Sequence, residues 1–454
     1  MKEVVETQRR YFDSNTTKNT DFRIAQLKKL RSLIKENESG LNDAIYRDFK
    51  KSAFETYSTE LFLLYQEISL AVKNLKNWSA PKPASTSIFN FPATSYIIPE
   101  PLGVSLIISP WNYPIQLAIS PVIASIAAGN TSIIKPSEHT PHTSSFLARL
   151  INENFDPGFL KVVEGGVTET TELLNQKFDK IFFTGSPEIG KVVYAAAAKH
   201  LTPVTLELGG KSPAIITADC NLKMTVQRLI WAKFLNAGQT CIAPDYVLID
   251  KTIKSEFLKL AQQEIQKAAY SFENNNYVQI INEKNMRRLI ELMGESKIYC
   301  GGKYDVQQKH FEPTILTDVT FEHPVMQEEI FGPILPVLEF SNLDEAIKQI
   351  KSLDKPLACY VFTSSKSIRN KVLSEISFGG GAVNEAIMHI SESSMPFGGV
   401  GKSGTGSYHG EFGFRAFSHY KSIMQKPTWF ESGLKYAPYS DFKLKLVKYL
   451  SRFF

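Results

Sequence analysis

Lys180-Ile-Phe-Phe-Thr-Gly-Ser-Pro-Glu-Ile-Gly190 is the stretch on which the fold turns. Its apolar run has the length of a buried strand. Gly185 marks a tight turn, Ser186 is an N-cap type, and Pro187 suits the first helical position that follows. Strand, turn and helix start in succession place unpaired N–H groups and a helix dipole at one point, which makes an anion site. The stretch lacks the G-x-G-x-x-G fingerprint, so an ordinary βα turn is the other reading of the same residues. Outward from it, Val104–Ile108, Thr131–Ile134 and Leu160–Val163 are further short apolar runs, with helical windows at Pro121–Ala128 and Gly190–His200 between or beyond them. This alternation predicts a doubly wound α/β domain.

A second alternation runs from Gly209 to about residue 396, with strand candidates at Ala214–Ile216, Tyr246–Ile249, Ile334–Leu338 and Ala358–Phe362, and predicts a second α/β domain. Before residue 80, Ile24, Leu27, Leu30, Leu33 and Ile34 recur at helical spacing and predict amphipathic helices. Residues 81–101 turn to Pro, Ser, Thr and alternating apolar positions, the pattern of an extended arm that could pair with a partner chain.

The bulk numbers exclude several classes. A chain of 454 residues has room for two or three domains, and 43% hydrophobic with 21% charged residues is ordinary globular usage. Lys+Arg 51 against Asp+Glu 46 gives +5, too balanced for a dedicated nucleic-acid binder. Cys220, Cys241, Cys300 and Cys359 show neither disulfide nor metal-ligand spacing, so no metal is expected and a reducing, cytoplasmic setting fits. Glu3 and Glu6 interrupt any apolar leader, and the absence of an apolar run of about 18 residues predicts no membrane-spanning helix.

Two motifs carry candidate chemistry. Asn236-Ala-Gly-Gln-Thr-Cys241 is the one cysteine context in which a Gly-containing loop leads towards an apolar strand. Such a loop can expose a thiolate to a pocket lined by backbone N–H groups, while an inert buried thiol is the alternative. In Thr205-Leu-Glu-Leu-Gly-Gly-Lys211, period-two alternation throws Glu207 to the face opposite Leu206 and Leu208. There it is either a desolvated general base with a raised pKa or a solvated edge carboxylate. Phe397-Gly-Gly-Val-Gly-Lys-Ser-Gly404 resembles a phosphate loop only in part, because Pro396 stands where its first glycine belongs, and it reads as a flexible crossover.

Taken together and in order, Ser109-Pro-Trp-Asn-Tyr-Pro114, Lys135-Pro-Ser-Glu138, Phe183-Thr-Gly-Ser186, Glu207-Leu-Gly-Gly-Lys211, Gly238-Gln-Thr-Cys241, Glu328-Glu-Ile-Phe-Gly-Pro333 and Pro396-Phe-Gly-Gly-Val-Gly401 resemble the motif set of the aldehyde dehydrogenase superfamily. Cys241-Ile-Ala-Pro-Asp-Tyr246, Tyr408-His-Gly410 and Phe417-Ser-His419 resemble its class 3 branch. The resemblance implies a Rossmann-like dinucleotide-binding domain (1–81 and 102–208), a second α/β catalytic domain (209–396), and a small β oligomerisation arm with the C-terminal segment (82–101 and 397–454). It implies Cys241 as nucleophile, Asn112 as oxyanion donor and Glu207 as the base that activates water to hydrolyse a thioester. It also implies a cofactor site at Lys135, Glu138, Gly185, Ser186, Glu329 and Phe331, the last two sharing one face if extended.

A carboxylate at Glu138 suits a free ribose diol, so NAD is the expected cofactor, with NADP the alternative. Aromatic or medium- to long-chain aliphatic aldehydes, a homodimer, and no nucleic-acid partner are implied as well. The family chemistry needs no histidine, so His389, His409 and His419 are read as lining or structural groups. Finally, Phe442, Leu446, Tyr449, Leu450 and Phe453 share helical spacing among Lys443, Lys445, Lys448 and Arg452, locally +3 against Asp441. That helix could lie on an anionic membrane surface or dock on protein.

Overall fold

The computed structural model describes residues 1–453; Phe454 and the side chain of Phe453 lie outside the described residues. Two parallel-rich sheets dominate. In the first, Val104–Ile108, Thr131–Lys135, Leu160–Val162, Lys180–Thr184 and Val204–Glu207 are parallel and, numbered along the chain, lie in the order 3-2-1-4-5. That is the dinucleotide-binding order, in which ligands sit beyond the carboxyl ends of strands at the reversal point. Here the reversal falls between Val104–Ile108 and Lys180–Thr184, whose following loops begin at Ser109 and Gly185.

The three central strands, Val104–Ile108, Thr131–Lys135 and Lys180–Thr184, are buried along their whole length, as a sheet covered on both faces requires. One covering helix, Gln116–Ala128, is buried at every position, which explains its apolar composition on all sides. The N-terminal helix Thr20–Glu36 starts where the Asn19 side chain accepts from the Asp21 and Phe22 N–H groups, and it buries Leu27, Leu30 and Ile34.

The second sheet has seven strands in the order Lys297–Cys300, Thr314–Thr317, Ile334–Phe340, Tyr246–Asp250, Pro213–Ile216, Ala358–Phe362, Gly380–Val383, parallel except for the first. All four strand candidates of this half are present. Lys297–Cys300, Thr314–Thr317 and Gly380–Val383 escape the sequence reading; the first is mostly exposed and the last is half glycine.

The chain groups into two compact units: Met1–Trp78 with Glu100–His419, and Ser79–Pro99 with Tyr420 onward. The smaller unit holds the short sheet Lys82–Ala84, Thr94–Pro101, Ser418–Gln425 and the helix Asp441–Leu450. Residues 397–419, expected with the arm, group instead with the large unit. The physical reason is pairing: Gly404–Thr405 runs antiparallel to Val204–Glu207, matching Gly404 to Glu207 and Thr405 to Leu206. The expected flexible crossover instead carries a 3-10 turn at Gly401–Ser403 and opens an edge strand at Gly404. Its glycines answer to close approach, since a Cβ on Gly399 would stand 2.1 Å from the Ser403 carbonyl oxygen and Gly404 has φ +153°.

Candidate active site

The ends of the two sheets enclose a cleft of about 850 Å³ whose walls include Asn112, Gly185, Ser186, Glu207, Cys241, Glu329 and Phe331. Residues far apart in sequence thus meet as the motif order implied.

Cys241 is presented by an unusual turn. Asn236, Ala237 and Gly238 follow one another in left-handed conformation, with φ +53°, +51° and +72°. Gly238 is obligatory here: a Cβ would stand 2.3 Å from the Gly332 carbonyl oxygen, so the cysteine loop and the Glu328–Pro333 loop touch backbone to backbone. Cys241 itself precedes the strand Tyr246–Asp250 by a short turn. Burial raises the thiol above its ordinary 9.0, and the charges of Glu329 and Glu207 raise it further; hydrogen bonds from the backbone N–H groups of Cys241 and Ile242 act in the opposite sense.

Glu207 ends its strand with the side chain 3% exposed, and neither carboxyl oxygen has a hydrogen-bond partner among the described residues. Burial alone raises its carboxyl well above 4.5. The solvated edge carboxylate is excluded because the edge is covered by Gly404–Thr405.

Asn112, buried, lies in the loop after Val104–Ile108. Its amide nitrogen donates to the Gln239 carbonyl at 3.0 Å, which leaves the second amide hydrogen for another acceptor. On either side, Trp111 meets Phe331 edge to face at 5.5 Å, whereas Tyr113 is buried and its hydroxyl hydrogen-bonds Thr240 at 2.6 Å. Trp111 therefore lines the cleft and Tyr113 belongs to the core.

At the opposite wall, Ser186 caps the helix Pro187–Ala198 by accepting from the Ile189 N–H. Gly185 donates its N–H to the Glu207 carbonyl at 3.0 Å and must lack a Cβ, which would press to 2.5 Å from the Phe183 ring. The helix start that was read from sequence is present, and it faces the cleft. Lys135 and Glu138 do not line that cleft. Lys135 ends Thr131–Lys135 with its ammonium donating to the Pro136 carbonyl at 2.6 Å and lying 3.6 Å from Glu138.

Glu329 and Phe331 do not form the extended pair expected, because Phe331 is left-handed at φ +45°. The segment is instead pinned by charges that the sequence reading gave no role. The Lys211 ammonium donates to Asp245 at 2.5 Å, to the Val325 carbonyl at 3.0 Å and to the Glu328 carbonyl at 2.8 Å. Asp245 accepts from the Ile330 N–H at 2.9 Å, and Arg288 donates to the Glu329 and Ile330 carbonyls at 3.1 and 2.6 Å. Lys211 and Asp245 stand inside the quoted motifs as charges among apolar residues, a usable signal; Arg288 gives none.

The Glu329 carboxyl accepts from the Gly210 N–H, and burial with the Asp245 charge raises it to about 8. It packs so closely that a Cβ on Gly209 would meet its oxygen. His389 and His409 are lowered to about 4 by burial and so are neutral, and His419 is exposed on a strand. None of the three lines the cleft. Among the described residues no cluster of His, Cys, Asp or Glu could hold a metal ion.

A cysteine, two buried carboxyls and a capped helix start thus line one cleft at the ends of two α/β sheets. The family model described as the aldehyde dehydrogenase family matches residues 1–423. The 4,4'-diaponeurosporen-aldehyde dehydrogenase of Staphylococcus aureus is 45% identical over 442 residues, 96% of each chain. The dimeric NADP-preferring aldehyde dehydrogenase of Mus musculus is 43% identical over 427 residues, 93% of each. A substrate-bound Staphylococcus aureus AldH structure superposes with a TM-score of 0.97 at 43% identity, covering 99% of both chains. The chain belongs to the aldehyde dehydrogenase family, in its class 3 branch. It is an NAD(P)-dependent enzyme that oxidises aldehydes to carboxylic acids.

Proposed function

We propose that Cys241 attacks the aldehyde carbonyl, that Asn112 with the Cys241 N–H receives the developing oxyanion, and that Glu207 activates the water that frees the acid. The observation that carries this reading is the convergence of the three residues on one cleft whose far wall is a helix start. Bound NAD(P)+ supplies the hydride acceptor.

The residues fit such a cofactor. Ser186 caps a helix N-terminus on the cleft wall, and the dipole and first-turn N–H groups of such a helix start suit a pyrophosphate. Lys135, Glu138, Glu329 and Phe331 would hold the ribose and nicotinamide portions. Addition of the Cys241 S–H across the carbonyl gives a tetrahedral thiohemiacetal; loss of its C–H hydride and its hydroxyl proton leaves a thioester on Cys241; water then restores the thiol and releases the carboxylic acid. The free amide hydrogen of Asn112, aimed by the Gln239 carbonyl, supports the oxyanion role. Raised proton affinity makes Glu207 the stronger base once ionised, which supports the hydrolytic role.

The exposed carboxylate of Glu138 supports a preference for NAD, and the Trp111–Phe331 aromatic pair supports aromatic or medium- to long-chain substrates. The arm with its edge strand Ser418–Gln425 supports a homodimer, four free thiols support a cytoplasmic location, and exposed Phe442, Leu444 and Val447 beside lysines support contact of the C-terminal helix with anionic membrane.

The test is an aldehyde panel assayed with each dinucleotide, with Cys241→Ala as control. Reduced cofactor and acid should form in equal amounts without added thiol. Parental activity in the Ala variant would sink the assignment. Sedimentation with anionic liposomes of a chain lacking 441–454 tests the tail: unchanged association removes the membrane proposal.

A further inference from the structure

Three carboxylates on one helical rod take no part in the chemistry above. A π-helical turn, Tyr57–Leu61, joins Ala53–Thr56 to Phe62–Ser79. Because a π turn closes i→i+5, Glu55 and Glu60 stack, and Glu67 falls on the same face two α-helical turns later. Each carboxylate meets the backbone of a different segment. Glu55 accepts from the Asn236 N–H at 2.8 Å. Glu60 accepts from the Ile115 and Gln116 N–H groups at 2.9 and 3.1 Å, just after Asn112. Glu67 accepts from the Gly410 N–H and the Ser120 hydroxyl. The second oxygen of Glu60 pairs with Lys51 at 2.8 Å, both side chains fully buried, and the Lys51 ammonium lies 4.1 Å from the Tyr113 ring centroid.

Of the segments so held, the one seated by Glu55 at Asn236 reaches the cysteine loop. Asn236 is 1% exposed, left-handed, and absent from the cleft wall. Its amide nitrogen donates to the Asn112 carbonyl at 3.0 Å and to the Gln239 carbonyl at 3.1 Å. The Gln239 carbonyl also accepts from the Asn112 amide. One side chain therefore ties the backbone of the residue bearing the oxyanion amide to the backbone two residues before the sulfur. We propose that Asn236, seated by Glu55, is a positioning residue that sets the separation between the Asn112 amide and Cys241.

This rests on the assignment of Asn112 and Cys241 above. Misplacement of about 1 Å at such a pair costs on the order of a hundredfold in rate, so the clamp acts on kcat and leaves ground-state binding alone. Without it, the Gln239 carbonyl keeps only the Asn112 amide, and the two loops are free to separate.

The experiment is a double-mutant cycle on full-length protein, with Asn236→Ala, Asn112→Ala and the pair. Asn236→Ala should lower kcat about 10- to 100-fold, with KM for aldehyde and NAD binding by fluorescence within about twofold of the parent. In the Asn112→Ala background the same change should cost about twofold or less, because the group it positions is gone. Parental kcat, or an equal loss in both backgrounds, overturns the proposal. Asn236→Gly, which suits the left-handed backbone, is read the same way if the alanine variant does not fold; loss of soluble protein in both assigns Asn236 to folding and overturns it as well. Failure of the underlying reading shows separately, as activity retained in Cys241→Ala.

Discussion

Replacing Glu207 by Gln should raise stability in a pH-dependent way while removing turnover. The carboxyl is 3% exposed, has no hydrogen-bond partner among the described residues, and is raised well above its ordinary 4.5 by burial alone. The native state therefore keeps a proton that the unfolded chain has released, and ν for the native state exceeds ν for the unfolded state once pH passes 4.5. Parental stability must then fall as pH rises from that point towards the folded value, by up to about 1.4 kcal/mol per pH unit. Glutamine has no proton to hold.

Above about pH 5 the gap in favour of Glu207→Gln should widen with pH, by up to about 1.4 kcal/mol per pH unit while pH stays below the folded value. With an unfolding entropy of about 2.1 cal/mol/K per residue, the 454-residue chain changes Tm by about 1 °C for each kcal/mol. Scanning calorimetry of both proteins should thus show a Tm difference that grows with pH, by up to about 1.4 °C per pH unit. Rapid-mixing assays should show a stoichiometric burst of reduced cofactor followed by a steady rate down about 10²- to 10⁴-fold. A Tm gap that is flat with pH would refute the burial argument, and a fast steady rate would refute the hydrolytic role.

Lys51→Met leaves Glu60 buried opposite no cation and should cost about 3–5 kcal/mol, read from denaturant midpoints; a loss under about 1 kcal/mol would mean that the pair is solvated. Gly238→Ala meets both a positive φ and the Gly332 carbonyl oxygen, so thermal stability and activity should fall together, and an unchanged Tm would contradict the contact. Alkylation of the cofactor-free enzyme at Cys241 by iodoacetamide should still be accelerating at pH 9, since the thiol is raised above 9.0; a plateau below pH 8 would show a thiolate that the site does not predict. Glu138→Ser should move the ratio of kcat/KM for NADP over NAD upward by about tenfold, the effect of removing about 1.4 kcal/mol of charge repulsion; no change would place that carboxylate away from the ribose.

Much of the site was legible because it rests on short-range rules. Ser186 followed by Pro187 announces a helix start whatever packs around it, and the alternation about Glu207 sets which face it occupies. Other parts resisted for physical reasons. Gly404–Thr405 is too short and too glycine-rich to show a strand period, and it exists only because Val204–Glu207 offers it an edge. The left-handed Phe331 is held by Lys211, Asp245 and Arg288, whose approach to the loop depends on three separate elements. The clamp at Asn236 depends on partners 124 and 181 residues away.

Periodicity, caps and motifs were enough to establish the α/β class and the family, since each signal depends on neighbours a few positions apart. Distances were decided by the tertiary structure alone. The desolvation of Glu207, the raised thiol of Cys241 and the tie between Asn112 and Gln239 arise only when the two sheets meet at one cleft and bury these groups.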